Sequence, residues 1–460
     1  MINGQPLFSR SNIAKIIIPL ALQGFLSVAV SMIDSMMVSN TGETAFAGVS
    51  LVGSLDTLLI TLFSSLTAGG SVILAQLMGK GEDKRTSAAA KQLLYAATIV
   101  ATVISIFVIL LRVPLLHLLF GQAEAEVMQN ALDYFFFMSM SFPFLAIDYS
   151  VAALFRVQGD SMTALKVSIV MNLLNISGNA ILIYGFELGA MGAAIATLFA
   201  RFVAATIMLV MSASKKHPVR IEKLFHYRPD FRIIKSILSI GIPNGIENSM
   251  FQFGRLLTSS LVSSLGTVAI AANAATLSLA NLQYTAGAAV QTTTVAVVGR
   301  CIGAEEKEQA KHYAGALLGI GYALVIGVNI IMALFSSPLL RLFGLSEESF
   351  ALGRILLLAH CAVSSLIWPA AFCLPPSFRA ASDIRFSMIV STASMWGFRV
   401  ALAYLLASPS LSFFGIFTIP CLGIGIYGVW LAMTADWVFR AILFTWRFFS
   451  NKWLTKYKKL

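Results

Sequence analysis

Asp34 and Asp56 both fall inside long apolar runs, and so do Asn172, Asn175, Asn179 and Thr197. A charge near the middle of a membrane helix costs roughly 2.5–3.5 kcal/mol on insertion scales, so it normally faces a protein-lined cavity and carries ions or protons. Asn175 and Asn179 are four residues apart and share one helix face. Carboxylate, amide and hydroxyl oxygens together suit a proton relay or a Na⁺ shell, because hard cations take oxygen ligands. Asp34, Asp56, Asn175, Asn179 and Thr197 are therefore the expected cation-coupling set, with H⁺ or Na⁺ as the coupling ion and Na⁺ held at Asp34 and Asn175. Asparagines also act as plain interhelical glue; the membrane depth they share with Asp34 is what sets these apart.

Other deep polar residues are candidates of a different kind. Glu247, Gln252, Arg255 and His360 are expected to line a substrate cavity, with Glu247 also able to pair with Arg255 two turns along. Arg399 and Asp436 fall at comparable depths in adjacent spans and read as a buried structural ion pair. Pro19 and Pro243 each remove a backbone hydrogen bond inside a span and are expected to bend their helices. The four cysteines have no ligand spacing and read as packing residues, not a metal site.

The elements that must position these groups follow from composition. The chain has 460 residues, 58% hydrophobic and 12% charged, with a mean hydropathy of +0.83. That leaves too little polar surface for a water-soluble globule. A bilayer span needs about 20 apolar residues, and twelve such runs are present, near 13–38, 46–78, 88–111, 129–155, 162–184, 189–212, 233–264, 268–301, 313–336, 351–374, 384–407 and 425–449. The formal charge of +11 gathers at alternate loops, from Lys80, Lys84 and Arg85 to the tail Lys452 and Lys456. By the positive-inside rule both termini are expected in the cytoplasm. The basic balance thus reports topology and contact with membrane lipids, and no nucleic-acid partner is expected. The polar leader MINGQPLFSRSN shows no cleavage pattern, so no removable signal peptide is expected.

The chain is also written twice. PLALQG at Pro19 and PNGIEN at Pro243 open similar segments, 224 residues apart (243 − 19 = 224), and the register holds through Gly42 and Gly266, Gly79 and Gly303, and Pro114 and Pro338. One residue is then lost, and Phe155-Arg156 pairs with Phe378-Arg379 and Asp160 with Asp383. After an insertion that includes Ser408 to Ile419, Gly189 and Gly192 pair with Gly425 and Gly428. Six spans per copy means both copies enter the membrane in the same direction, as parallel repeats. The expected fold is an all-α polytopic membrane protein of twelve transmembrane helices in two six-helix lobes: residues 1–211, a basic cytoplasmic linker 212–232, and 233–460 ending in the basic tail.

With these features in place the chain resembles the multidrug and toxic compound extrusion (MATE) family. The likeness is carried by MIDSMMV in the first span, GIPNGIENSMFQFGR opening the seventh, and AALFRVQGDSMTALKVSIVMNLLNISGNAILIYG, LGAMGAAIATLFAR and AIAANAATLSLANLQYTAGAAV, so that it covers nearly the whole chain. The resemblance implies cation-coupled efflux of amphipathic organic cations by alternating access, with Asp34 as the acidic cation-binding residue and Asn175 and Thr197 beside it. Asn179 stands where some relatives carry aspartate, Glu247 sits earlier in its span than the family glutamate, and His360 is the nearest ionisable residue to a missing acid in the tenth span. The expected setting is the cytoplasmic membrane of a prokaryote, as a multi-pass monomer with no cofactor beyond the coupling ion. Two alternatives remain open, a lipid-intermediate flippase on the same fold and a non-transporting membrane scaffold. No enzyme is expected, because the loops carry no acidic metal motif, Gly-rich phosphate loop or Ser-His-Asp set, and with no ATP-binding domain any transport must use an ion gradient.

Overall fold

Apolar runs become helices here because every backbone group in lipid must be satisfied within its own segment, and short polar devices set where each helix starts and stops. Ser9 and Asp160 accept from the backbone N–H groups of Asn12 and Thr163, both at 3.1 Å, and cap the first and fifth spans. The computed structural model describes residues 6–456 apart from 122, 216, 222–227 and 414–416. Parts of the expected linker and the last four residues of the basic tail therefore lie outside the described residues.

The first set of spans is α1 (Arg10–Ser39), α2 (Glu43–Gly79), α3 (Asp83–Phe120), α4 (Ala125–Gln158), α5 (Ser161–Asn179), which continues as a π-helical stretch Ala180–Gly185, and α6 (Gly189–Ser212). The second set is α7 (Phe231–Ser263), α8 (Thr267–Gly303), α9 (Lys307–Leu334) with α10 (Ser336–Arg341), α11 (Glu347–Cys373) with α12 (Pro375–Ala380), α13 (Ile384–Ser394) with a π stretch Met395–Ala401 and α14 (Leu402–Ala407), and α15 (Ile426–Phe449). Ten of these twelve rods are both long and apolar enough to cross a membrane. The other two, α7 and α8, are long enough at 33 and 37 residues but carry more polar positions. The insertion of the second repeat adds a short antiparallel hairpin, β1 (Ser410–Phe413) and β2 (Phe417–Pro420), the one departure from an all-helical chain among the described residues.

Backbone geometry repeats with the sequence. Left-handed or otherwise positive φ occurs at Gly42 and Gly266, Gly81 and Glu305, Gly159 and Ser382, Glu187 and Gly423, and Gly189 and Gly425, each pair in register between the repeats. Gly159 at φ 87° ends α4 with its N–H on Arg156 O and that of Asp160 on Phe155 O; Ser382 and Asp383 close α12 on Arg379 and Phe378 in the same way. Each repeat has its own packed cluster: Val52, Val108, Leu116 and Phe135 in the first, Ala275, Met332, Leu340 and Leu357 in the second.

Two compact units result, Phe8–Gly245 and a second that runs from Ile246 and takes in Leu7. The division falls inside α7, not in the 212–232 stretch where the sequence places it. The physical reason is the start of α7. Gly69 and Gly241 approach so closely that a Cβ on Gly69 would lie 2.6 Å from Gly241 N, which ties residues 231–245 to α2. The described part of the linker belongs to the same unit: Gln158 Nε2 donates to Val219 O at 3.0 Å, Gln92 Nε2 donates to Arg228 O at 2.7 Å, and Val219 and Ile221 are buried. In the second unit Leu7 N–H donates to Gln309 Oε1 at 2.9 Å.

Candidate functional site

In the first unit α1 presents Asp34, α5 presents Asn172, Asn175 and Asn179, and α6 presents Thr197. Gly178 makes the approach possible, since a Cβ there would sit 3.0 Å from Ala196 Cβ and push α5 off α6. Asn179 Nδ2 donates to Asp34 Oδ1 at 2.7 Å. With its amide turned to donate to the carboxylate, Asn175 Nδ2 lies 3.0 Å from both Asp34 oxygens, and its Oδ1 accepts from Thr197 Oγ1 at 3.0 Å. Asn175 and Asn179 are buried, whereas Asp34 is half-buried. Asn179 Oδ1 is a buried acceptor with no donor, and the π stretch begins at the very next residue, Ala180. Four of the five expected coupling residues thus meet around one carboxylate that has no cationic partner among the described residues. Such an arrangement can take up a proton, or offer oxygens of Asp34, Asn179 and Thr197 to a hard cation.

Asp56 is placed otherwise. Its Oδ2 faces Arg201 Nη2 at 3.9 Å, and Arg201 Nη1 donates to Ser141 Oγ at 2.7 Å. Tyr134 lies within electrostatic reach of Asp34, Asp56 and Arg201. Asp148, which sequence reasoning passed over, lies within electrostatic reach of Arg156 and Arg201. Its signal was available as an acid in an apolar run.

The second unit holds a different chemistry. Asp436 is fully buried, with Arg399 Nη1 at 3.5 Å and Arg440 Nε closer at 2.7 Å, so the pair read from sequence is a triad. Arg440 was missed although it stands four residues after Asp436, the spacing at which helix side chains meet. Glu247 does not reach for Arg255; its Oε2 lies 3.7 Å from Arg379 Nη1. Arg379 stands in α12, just after Pro375-Pro376, at the position Arg156 holds in the first repeat, and both are half-buried. Glu247 and Arg379, with Asn248, Phe251, Gln291 and Arg440, line a cavity of about 170 Å³. Arg255 and Arg399 line a second pocket with Thr258, Asn273 and Trp430. Gln252 is half-buried and lines neither. His360 is no cavity residue either. It is 2% exposed, its Nε2 is 2.8 Å from Gln283 Oε1, and the rings of Tyr284, Trp430 and Trp437 stand around it at 5.6–6.0 Å. Pro19 and Pro243 both lie inside helices that continue unbroken through them.

Repeated six-span units, each with charged side chains held inside it, define a multi-pass membrane protein written as two copies of one unit. The MatE family profile matches residues 19–181 and again 243–405, two copies at the same offset of 224 (405 − 181 = 224), and the chain belongs to that family. It is similar to "Uncharacterized transporter YisQ" of Bacillus subtilis (strain 168), 27% identical over 446 residues, 95% of this chain and 94% of that protein. It is also similar to "Probable multidrug resistance protein NorM" of Thermotoga maritima, 25% identical over 96% of this chain and 93% of that one. A solved structure described as the outward-facing conformation of a multidrug resistance MATE family transporter superposes with a TM-score of 0.85 at 20% identity, over 97% of this chain and 96% of that chain. A second, a MOP superfamily transporter from Pyrococcus furiosus whose binding pocket is described as having reverse polarity, gives 0.84 at 20% identity, over 96% of each chain. At that identity the superpositions speak for the fold.

Proposed function

We propose that the protein is a secondary active exporter that couples H⁺ or Na⁺ entry at Asp34 to the efflux of amphipathic organic compounds by alternating access. One observation carries this reading. Asp56 faces Arg201 at 3.9 Å and Asp148 lies within electrostatic reach of Arg156 and Arg201, whereas Asp34 is held by the amides of Asn175 and Asn179, with Thr197 behind Asn175, and has no cationic partner among the described residues. A carboxylate partnered by a guanidinium has its counter-charge; one held by amides still lacks it and exchanges it with solution. Of the relatives, several are named as probable multidrug resistance proteins, which supports organic compounds as cargo. The expectation of cationic cargo came from the family resemblance, with interior acids in its support; of those acids, Asp56 and Glu247 each face an arginine. The cytoplasmic membrane, with both termini inside, and a monomeric state belong to the same proposal and rest on the alternation of basic loops.

The test is transport by the purified protein in liposomes with Na⁺ and pH gradients imposed separately. Efflux of a fluorescent amphipathic dye driven by one gradient and absent without it supports the reading. Dye movement that ignores both gradients refutes it.

A further inference from the structure

The repeat places a second site opposite in sign to the first. Thr258 stands in α7 where Asp34 stands in α1 (258 − 34 = 224), and Met433 stands in α15 where Thr197 stands in α6 (433 − 197 = 236, the offset of Gly425 from Gly189). Both line the pocket that also contains Arg255, Asn273, Arg399 and Trp430. One repeat therefore holds a carboxylate among amides, and the other holds two guanidinium groups in the corresponding place.

The charges around this pocket do not cancel. Asp436 is shared by Arg399 at 3.5 Å and Arg440 at 2.7 Å, so one carboxylate serves two cations. Arg255 is exposed, close enough to Arg399 for each to feel the other's charge, and has no carboxylate partner among the described residues. Of Thr258, Asn273 and Trp430, Asn273 is the one left with a donor to offer. Trp430 Nε1 donates to Asn273 Oδ1 at 3.1 Å, which leaves the Asn273 amide nitrogen to give a hydrogen bond, and Thr258 spends its own proton on backbone carbonyls of its helix. Guanidinium forks match planar oxyanions two bonds at a time. The space is small, about 30 Å³, or two water-sized positions, which suits a head group of a few atoms and not a whole molecule.

We propose that this pocket binds the carboxylate end of an amphipathic compound, with Arg255 and Arg399 donating to its oxygens and the apolar remainder lying outside the seat beside Trp430. The proposal rests on the exporter reading above and names the chemical class of its cargo.

Equilibrium binding to the purified protein in detergent tests it without any gradient, using 2-naphthoate and 2-naphthylmethylammonium, two probes with the same ring system and opposite charge, in titration calorimetry. The expected result is binding of the carboxylate at least about tenfold tighter than the ammonium. Arg255→Gln should weaken it by about 10- to 100-fold, the loss expected for one charge-assisted contact. Arg255→Lys, which keeps the charge without the fork, should fall between the two. Lys235→Gln, the same charge change at an exposed position, should leave binding within about twofold. Because Arg255 is exposed, these variants retain the fold, which their melting curves check. Equal or tighter binding of the ammonium, no binding of the carboxylate, or an unchanged affinity in Arg255→Gln each overturns the proposal. So does displacement of 2-naphthoate by phosphatidylglycerol added to the micelles, which would assign the seat to a lipid phosphate. A protein that exports cations under an imposed gradient yet fails this binding test refutes the pocket and leaves the exporter reading standing.

Discussion

Replacing Asn179 by aspartate sets a second carboxylate where an amide now donates to Asp34 Oδ1 at 2.7 Å. Two unit charges at 2.7 Å repel by about 6 kcal/mol at an effective dielectric of about 20, and a charge-assisted hydrogen bond of about 1.5–3 kcal/mol disappears as well. Among the described residues no cationic side chain pairs with Asp34 to offset that, so a proton or a metal cation must come between the oxygens. The stability of Asn179→Asp should therefore depend on the buffer. In mildly alkaline choline chloride the purified variant should melt well below the parent; added Na⁺ or mild acid should recover it. A ligand that binds only the folded state adds about 2.7 kcal/mol when present at about 100 times its Kd. Thermal denaturation in detergent, followed across a Na⁺ series and a pH series, measures this directly. The swap Asp34→Asn/Asn179→Asp keeps one carboxylate and one amide in contact and should return the melting curve to the parental position. A single variant that melts like the parent with no added response to Na⁺ or acid, or a swap as unstable as the single variant, would show that these side chains do not share a site.

Asp34→Asn should reach the membrane in parental amount and lose gradient-driven efflux in liposomes; normal efflux at normal abundance would sink the coupling assignment. Asp436→Asn leaves two buried guanidinium groups without their carboxylate and should lower stability by about 3–5 kcal/mol, read as a loss of yield and melting temperature. Glu187→Gly should raise stability by about 0.5–1 kcal/mol in thermal denaturation, because a left-handed residue with a side chain costs about 1–2 kcal/mol and the other repeat already uses Gly423 at that position. In a cysteine-free background, single cysteines at the exposed positions Glu43 and Glu347 should react with an impermeant thiol reagent from outside the cell, and those at Asp83 and Lys215 should not. The reverse pattern would invert the topology.

The repeat was legible because its landmarks are backbone landmarks. Gly42, Gly159 and Gly189 mark turns that only a few residue types tolerate, and apolar drift between them leaves those turns in place. The grouping of Asp34 with Asn175, Asn179 and Thr197 was legible from depth and from four-residue spacing on α5. What stayed hidden were the partners of the other acids. Whether Asp56 joins Asp34 or Arg201 depends on how α2, α4 and α6 pack, and no local pattern encodes that. The place of Arg379 was hidden because a basic residue near a span end can lie in the loop or turn inward, and here its partner, Glu247, stands on another helix. The division inside α7 was invisible for a similar reason: it depends on glycine-to-glycine contact across helices far apart in sequence.

The hydrogen bond from Leu7 to Gln309 spans 302 residues, and it imposes an order in time. A ribosome adding about 5–20 residues per second needs roughly 15–60 s to travel that far. For that interval the leading residues have been made but their acceptor has not. The six spans that follow them settle in the bilayer before that bond can form. They are equipped to do so, because the bonds that close the Asp34 cluster, cap α1 and α5, and hold Val219 all lie within Phe8–Gly245. Leu7 is made long before Gln309, and its backbone N–H waits for that acceptor.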